Sequence, residues 1–200
     1  HKKGSKDDLS NYRPISLKSN LYKLFSKVIT KRLTHTLDEN QPNEQAGFRS
    51  GFSTADHLQV VNQIIEKSIE FQLPLHMAFV DYSKTFDSVE HTSILQALQR
   101  QGIEAKYIRI LNNLYTQSKS KVKAEREGQI FKIGRGVIQG DPISTKLFTS
   151  LLEDVFRKFK WDNKYDIKVN GRRLSNLRFA DDIVLFFPDC PTNYSRCSRN

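Results

Sequence analysis

The chain has 200 residues, 38% of them hydrophobic, enough for one large domain or two small lobes with a packed core. Thirty-two basic residues against 22 acidic ones leave a net charge of +10, which favours a polyanionic partner, nucleic acid first, through long-range attraction and counterion release. No apolar run approaches the ~20 residues of a membrane span, and the N-terminal stretch lacks the apolar core of a secretory signal, so the expectation is an intracellular protein with no membrane partner.

From Leu21 to Leu37 the apolar positions Leu21, Leu24, Phe25, Val28, Ile29, Leu33 and Leu37 read as one helical stripe. Lys23, Lys27 and Lys31 follow one another at four-residue intervals on another side of the same helix, either a solvated face or a track for backbone phosphates. Ser53 with Asp56 resembles a capping box, and Leu58, Val61, Ile65 and Ile69 then carry a second helix to about Phe71. Met77 to Val80 is a short continuous apolar run, read as a buried central strand that delivers Asp81 at its end. Helical patterns return from about Glu90 to Leu98, stopped by Gly102, and from Ala105 to Tyr115. Lys121 to Ala124 and Gln129 to Ile133 flank Gly128 as a short hairpin.

Asp141-Pro142 is a helix-start signal, followed by a wide apolar face of Leu147, Phe148, Leu151, Leu152, Val155, Phe156 and Phe159. Asn170-Gly171 lies between Ile167–Val169 and Arg172–Leu174 as a two-residue hairpin turn. Immediately after it, Asp181 and Asp182 sit between the runs Leu177–Ala180 and Ile183–Phe187. The order of elements is mixed, which predicts an α+β fold with an antiparallel sheet packed on helices. Cys190 and Cys197 are too few for a disulfide framework or a four-cysteine zinc set and read as free thiols. The start at His1 and the loss of periodicity from Pro191 to Asn200 suggest a piece of something longer: one domain over 1–187 and a divergent or disordered tail over 188–200.

A tight turn that holds two carboxylates, with a third at the end of a neighbouring strand, is what a two-metal nucleotidyl transferase requires. Two ions about 3.5–4 Å apart activate an attacking 3′-hydroxyl and neutralise the leaving group. An Asp-Asp turn alone is weak evidence, since Asp favours turns for local reasons. Two further segments strengthen it. Asp81 is followed five residues later by the ring of Phe86, placed to wall a nucleotide pocket, and Gln139-Gly140-Asp141-Pro142 joins a side-chain-free position to the positive end of a helix.

These segments, Phe79–Asp87, Val137–Pro142 and Phe179–Asp182, resemble motifs A, B and C of a reverse transcriptase. Upstream, Asn11-Tyr12-Arg13-Pro14-Ile15-Ser16-Leu17 and the run from Gln45-Ala46-Gly47-Phe48-Arg49 to Thr54 are similar to the fingers motifs of non-LTR (LINE-type, RTE-like) retrotransposon enzymes. The resemblance runs from about Gly4 to Phe187 and implies the fingers and palm of a right-hand polymerase, with the thumb absent. It implies that Asp81, Asp181 and Asp182, with the backbone carbonyl of Tyr82, hold two Mg²⁺ ions, Mn²⁺ being a substitute. Phe86 falls at the steric gate against a ribose 2′-hydroxyl, Gln139 and Gly140 at the contacts with nucleotide and template, and Arg49 where a guanidinium forks onto the triphosphate. The implied partners are an RNA template, a DNA primer and deoxynucleoside triphosphates, and the implied place of work is the nucleus.

Thr85 stands where the family pattern has a small alanine, Ile138 where it has an arginine, and Thr145 where it has a proline. Two other classes compete: a non-catalytic remnant that at most binds RNA, and a two-metal nuclease, which explains neither Gln139-Gly140 nor Phe86.

Overall fold

The computed structural model describes residues 5, 8, 11–12, 15–82, 84–123, 127–159, 167–169 and 171–187. Both cysteines, the tail from 188, the Arg13-Pro14 pair, Ala124 and Asn170 lie outside them. Helices and strands are mixed and every paired strand is antiparallel, as the element order predicts. No described helix is long and apolar enough to cross a membrane. The chain forms two compact units, 1–40 with 84–154 and 41–83 with 155–200.

The first unit begins with α1 (Asn20–Glu39). It continues through the single turn α3 (Thr85–Ser88), α4 (His91–Arg100) and α5 (Ala105–Thr116). The hairpin β2 (Lys119–Lys123) and β3 (Glu127–Lys132) follows, and then α6 (Pro142–Phe156), which leaves this unit after Asp154. Ile29, Leu33 and Leu37 are buried on α1, whereas Leu21, Leu24 and Val28 are exposed. At about 100° per residue the exposed three fall on the side of the helix opposite the buried three. Phe25, also exposed, lies between the two groups, so the stripe is one broad arc of which the unit buries only the side that carries Ile29, Leu33 and Leu37. Gly128 sits inside β3 rather than in the turn, and the register shifts between Lys121 and Lys123 beside it. An added glycine in a strand is a common companion of such an irregularity.

The predicted α6 face is buried at Leu147, Phe148, Leu152 and Phe156, while Val155, and Phe159 beyond the helix end, are exposed. Within the first unit the helix is tied by side chains. Lys146 Nζ lies 2.5 Å from Asp38, and Arg100 donates to the buried carboxylate of Asp154 at 2.7 Å.

In the second unit, α2 (Thr54–Glu70) starts on the expected capping box: the Ser53 hydroxyl accepts from the Asp56 N–H and the Asp56 carboxylate accepts from the Ser53 N–H. That helix places Ile64 against Leu177, Val184 and Phe186 of the sheet. The sheet runs β1 (His76–Val80), β7 (Asp182–Phe187), β6 (Asn176–Phe179). The small hairpin β4 (Ile167–Val169) and β5 (Arg172–Leu174) adds Ile167, Val169 and Leu174 to the same core.

The predicted central strand is at an edge. Among the described residues β7 is central and β1 pairs only with it, and Phe79 is 74% exposed. A continuous apolar run does not distinguish a strand buried on both faces from an edge strand with one open face.

Candidate functional site: three carboxylates at one end of a sheet

β6 and β7 are joined by the two-residue turn Ala180-Asp181, with Phe179 paired to Asp182 across it. Asp181 is thus the turn residue and Asp182 the first residue of β7. On the other side of β7 the last β1 pair is Val80 with Ile183, so the next residue outward on each strand is Asp81 and Asp182. Three carboxylates therefore share one end of a three-stranded sheet. Asp81 and Asp182 are exposed and Asp181 is half-buried.

The donor set consists of hard oxygens, which suits Mg²⁺ or another hard divalent ion. Among the described residues no three acidic, histidine or cysteine side chains converge as a closed metal group. The strand register brings the three donors to one sheet end.

Beside this hairpin runs the segment that contains the Gln45-Ala46-Gly47 motif. Residue 45 forms a parallel bridge to Arg178: the Arg178 N–H donates to the Glu44 carbonyl at 2.7 Å and the Ala46 N–H donates to the Arg178 carbonyl at 2.9 Å. This covers the outer edge of β6. Arg178, inside a run read as apolar, is 4% exposed and its guanidinium lies 4.2 Å from the Phe156 ring centre. Arg49 donates through Nη1 to the carbonyls of Pro42 and Gln45 at 2.7 and 3.4 Å and stacks over Phe52 at 4.2 Å. One edge of that guanidinium thus folds its own loop.

The other expected nucleotide contacts belong to the first unit. Phe86, on α3, stacks on the buried ring of Phe148 with centroids 4.4 Å apart, which holds it as a rigid wall. Gln139 donates through Nε2 to Asp87 at 3.1 Å, and the Val137 N–H donates to the Phe86 carbonyl at 2.8 Å. Motifs A and B are therefore stitched together by hydrogen bonds, and Asp87 has a positioning role. Gly140 takes φ 88° with open space where a Cβ would stand, a left-handed backbone that favours glycine and leaves one side open.

Asp141, buried just before α6, accepts hydrogen bonds from the hydroxyls of Tyr22, at 2.6 Å, and Ser26, both on α1. Burial first, then the hydrogen bond to Asp141 and its charge, push the Tyr22 hydroxyl well above its ordinary range, so it stays a donor. Asp141 also caps α6 as its Asp-Pro start predicts, the Ile143 N–H donating to its Oδ1 at 3.4 Å. The two hydroxyl partners lie more than a hundred residues away and leave no local signal.

Ile138, at the position where the motif has arginine, is buried at 8% exposure, and the Thr145 hydroxyl donates to the Pro142 carbonyl at 3.3 Å. Both departures are absorbed by packing and a local bond. Lys23, Lys27 and Lys31 are exposed along α1 and enter no ion pair described within the structure.

A family model described as "Reverse transcriptase (RNA-dependent DNA polymerase)" matches residues 1–198. This chain belongs to the reverse transcriptase family. Its relatives are polymerases of non-LTR, LINE-type retrotransposons. The retrovirus-related Pol polyprotein from type-1 retrotransposable element R2 of Nasonia vitripennis is 29% identical over 89% of this chain and 17% of its own length. The corresponding protein of the type-2 element R2DM of Drosophila melanogaster is 29% identical over 88% and 16%. The probable RNA-directed DNA polymerase from transposon BS of the same fly is 27% identical over 94% and 20%. The chain thus spans a fifth or less of these relatives.

Among solved structures, a truncated apo telomerase of Candida tropicalis superposes with a TM-score of 0.61 at 16% identity, covering 82% of this chain and 34% of that one. Telomerase of the same yeast, solved with a fragment of telomeric RNA, gives 0.60 at 14% identity over 88% and 34%. At such identities the likeness speaks for the fold: a reverse transcriptase domain of the right-hand polymerase kind, mixed α+β with antiparallel sheets. Enzymes of this family work with divalent metal ions.

Proposed function

We propose that this chain is the fingers-and-palm portion, residues 1–187, of an RNA-directed DNA polymerase acting by two-metal nucleotidyl transfer. The observation that carries the reading is the strand register that ends with Val80 opposite Ile183, bringing Asp81 to the sheet end where Asp181 and Asp182 sit. These three carboxylates, with the Tyr82 carbonyl, would hold two Mg²⁺ ions. Bound there, the ions supply charge neutralisation for the triphosphate and lower the pKa of the attacking 3′-hydroxyl.

The remaining residues bind and orient. Phe86, backed by Phe148, is the wall against a ribose 2′-hydroxyl. Gln139, held by Asp87, and the open Gly140 face nucleotide and template. Arg49, with one edge anchored in its loop, offers the rest of its guanidinium to phosphate. Lys23, Lys27 and Lys31 give α1 a cationic row for nucleic-acid backbone. The partners are then an RNA template, a DNA primer and deoxynucleoside triphosphates, and the intact element protein works in the nucleus.

A second reading, a remnant that at most binds RNA, draws on the departures from the motif pattern at Thr85, Ile138 and Thr145. Primer extension on an RNA template, with Mg²⁺ and deoxynucleotides, separates the two when this chain is assayed alone and joined to a related thumb. Extension in either form that falls by roughly a thousandfold with Asp181→Ala is the expected outcome, since several kcal/mol of charge stabilisation converts at about 1.4 kcal/mol per tenfold. No extension from a folded protein in either form would support the remnant reading.

A further inference from the structure

The turn that carries Asp181 is an unusual one to leave unsupported, because Ala180 occupies the left-handed region at φ 59°, where a Cβ is disfavoured. Its support comes from Gln45. The Ala180 N–H donates to Gln45 Oε1 at 3.0 Å, and the Gly47 N–H donates to the same oxygen at 2.8 Å. Gln45 Nε2 reaches back to the Ala180 carbonyl at 3.5 Å, the outer limit of a hydrogen bond. Gln45 is 1% exposed, so no water competes for these groups. Both polar groups of Ala180 are thereby addressed by one side chain, and the peptide plane leading into Asp181 is held from one side.

Gly47 completes the brace by having no side chain. A Cβ built there would lie 2.2 Å from the Ala180 nitrogen and 2.9 Å from both the Ala180 Cα and Gln45 Oε1. Two of those three atoms belong to backbone that cannot swing aside. The backbone bonds of Glu44 and Ala46 to Arg178 hold the same segment against β6.

We propose that Gln45 and Gly47 are positioning residues for the metal site: they set the orientation of the Ala180-Asp181 turn and through it the affinity of the carboxylates for divalent ions. The inference rests on the metal reading of Asp81, Asp181 and Asp182. Groups that orient a metal-binding side chain without touching the ion commonly govern affinity by about 10- to 100-fold.

The test uses the full 200-residue chain with Mn²⁺ as the probe, bound ion being followed by electron paramagnetic resonance and folding by circular dichroism. Gln45→Met keeps the side-chain length and removes both accepted hydrogen bonds. Gly47→Ala forces the two backbones apart. Ile64→Val, in the core of the same unit, lowers stability without touching the turn. Folded Gln45→Met is expected to bind Mn²⁺ at least about tenfold more weakly, with faster amide exchange at Ala180, and Gly47→Ala to behave alike, while Ile64→Val leaves affinity within about twofold.

Mn²⁺ affinity unchanged in folded Gln45→Met overturns the proposal. Should both brace variants fail to fold, the wild-type chain still decides. Mg²⁺ titration followed by NMR must shift the Gly47 amide together with that of Asp181, and a silent Gly47 amide rejects the coupling. Wild-type Mn²⁺ binding that is indifferent to Asp181→Ala instead refutes the metal reading itself, and this inference falls with it.

Discussion

The chain contains two hairpins of similar length that differ in almost every physical respect. In β6–β7 the residues Asn176, Leu177, Arg178, Ile183, Val184 and Phe186 are buried, a third segment covers the β6 edge, and the turn is held by a buried glutamine. In β2–β3 the register shifts midway, and Val122, Ile130 and Phe131 are 60%, 70% and 49% exposed. Register is strongly specified where one face must be buried, because a slip of one residue would turn that whole face to solvent. The buried hairpin can therefore hold a strained turn carrying a carboxylate at a defined point. The exposed one has no such constraint and tolerates an irregularity. Precision at Asp181 comes from burial and from Gln45, since an antiparallel pair by itself does not supply it.

The largest effect that sharpens this contrast is on stability. Phe186→Ala, at a side chain 1% exposed, should cost about 3–5 kcal/mol as a cavity opens between the sheet and α2. Phe131→Ala on the exposed hairpin should stay within about 0.5 kcal/mol. Urea titrations of both variants measure the difference, and equal losses would mean that β2–β3 is buried by something in solution.

Amide exchange reports a smaller contrast. The amides of Ile183, Val184 and Leu185 should exchange at least about tenfold more slowly than those of Ser120 and Ile130, since local opening is easier where few apolar contacts must break. Comparable protection in the two hairpins would break the comparison.

The smallest effect is a pH dependence confined to the buried hairpin's unit. Burial, the leading cause, holds the His57 imidazole below its ordinary value of 6.5, and His57 lies on α2, the helix packed on that sheet. Because the unfolded chain takes up the proton first, stability is unaffected well above pH 6.5 and falls as the pH drops through the lowered folded value. Thermal melts between pH 7 and pH 5 should fall more steeply for the wild type than for His57→Gln. Identical slopes would remove His57 as the cause.

Much of this molecule is legible without coordinates. The helices α1, α2, α4, α5 and α6 are announced by apolar spacing and caps, and the Ser53–Asp56 box forms as read. Asp81 at a strand end and Asp181 in a turn follow from apolar runs too short for an independent helix. Local pattern fails where the answer depends on which neighbour arrives. It could not distinguish an edge from a central position for β1, nor see that Leu21, Leu24 and Val28 face away from the core that buries Ile29, Leu33 and Leu37.

The residues themselves set the range of chemistry open to the chain, because each side chain brings a fixed set of donors, acceptors, charge and surface. Tertiary structure alone decided which groups are held and by what: Asp141 by Tyr22 and Ser26, Gln139 by Asp87, Ala180 by Gln45. Those partners are separated by between 52 and 135 residues in sequence. A hydrogen bond of that span is set by packing of the whole unit, and nothing in the spacing of side chains along the chain encodes it.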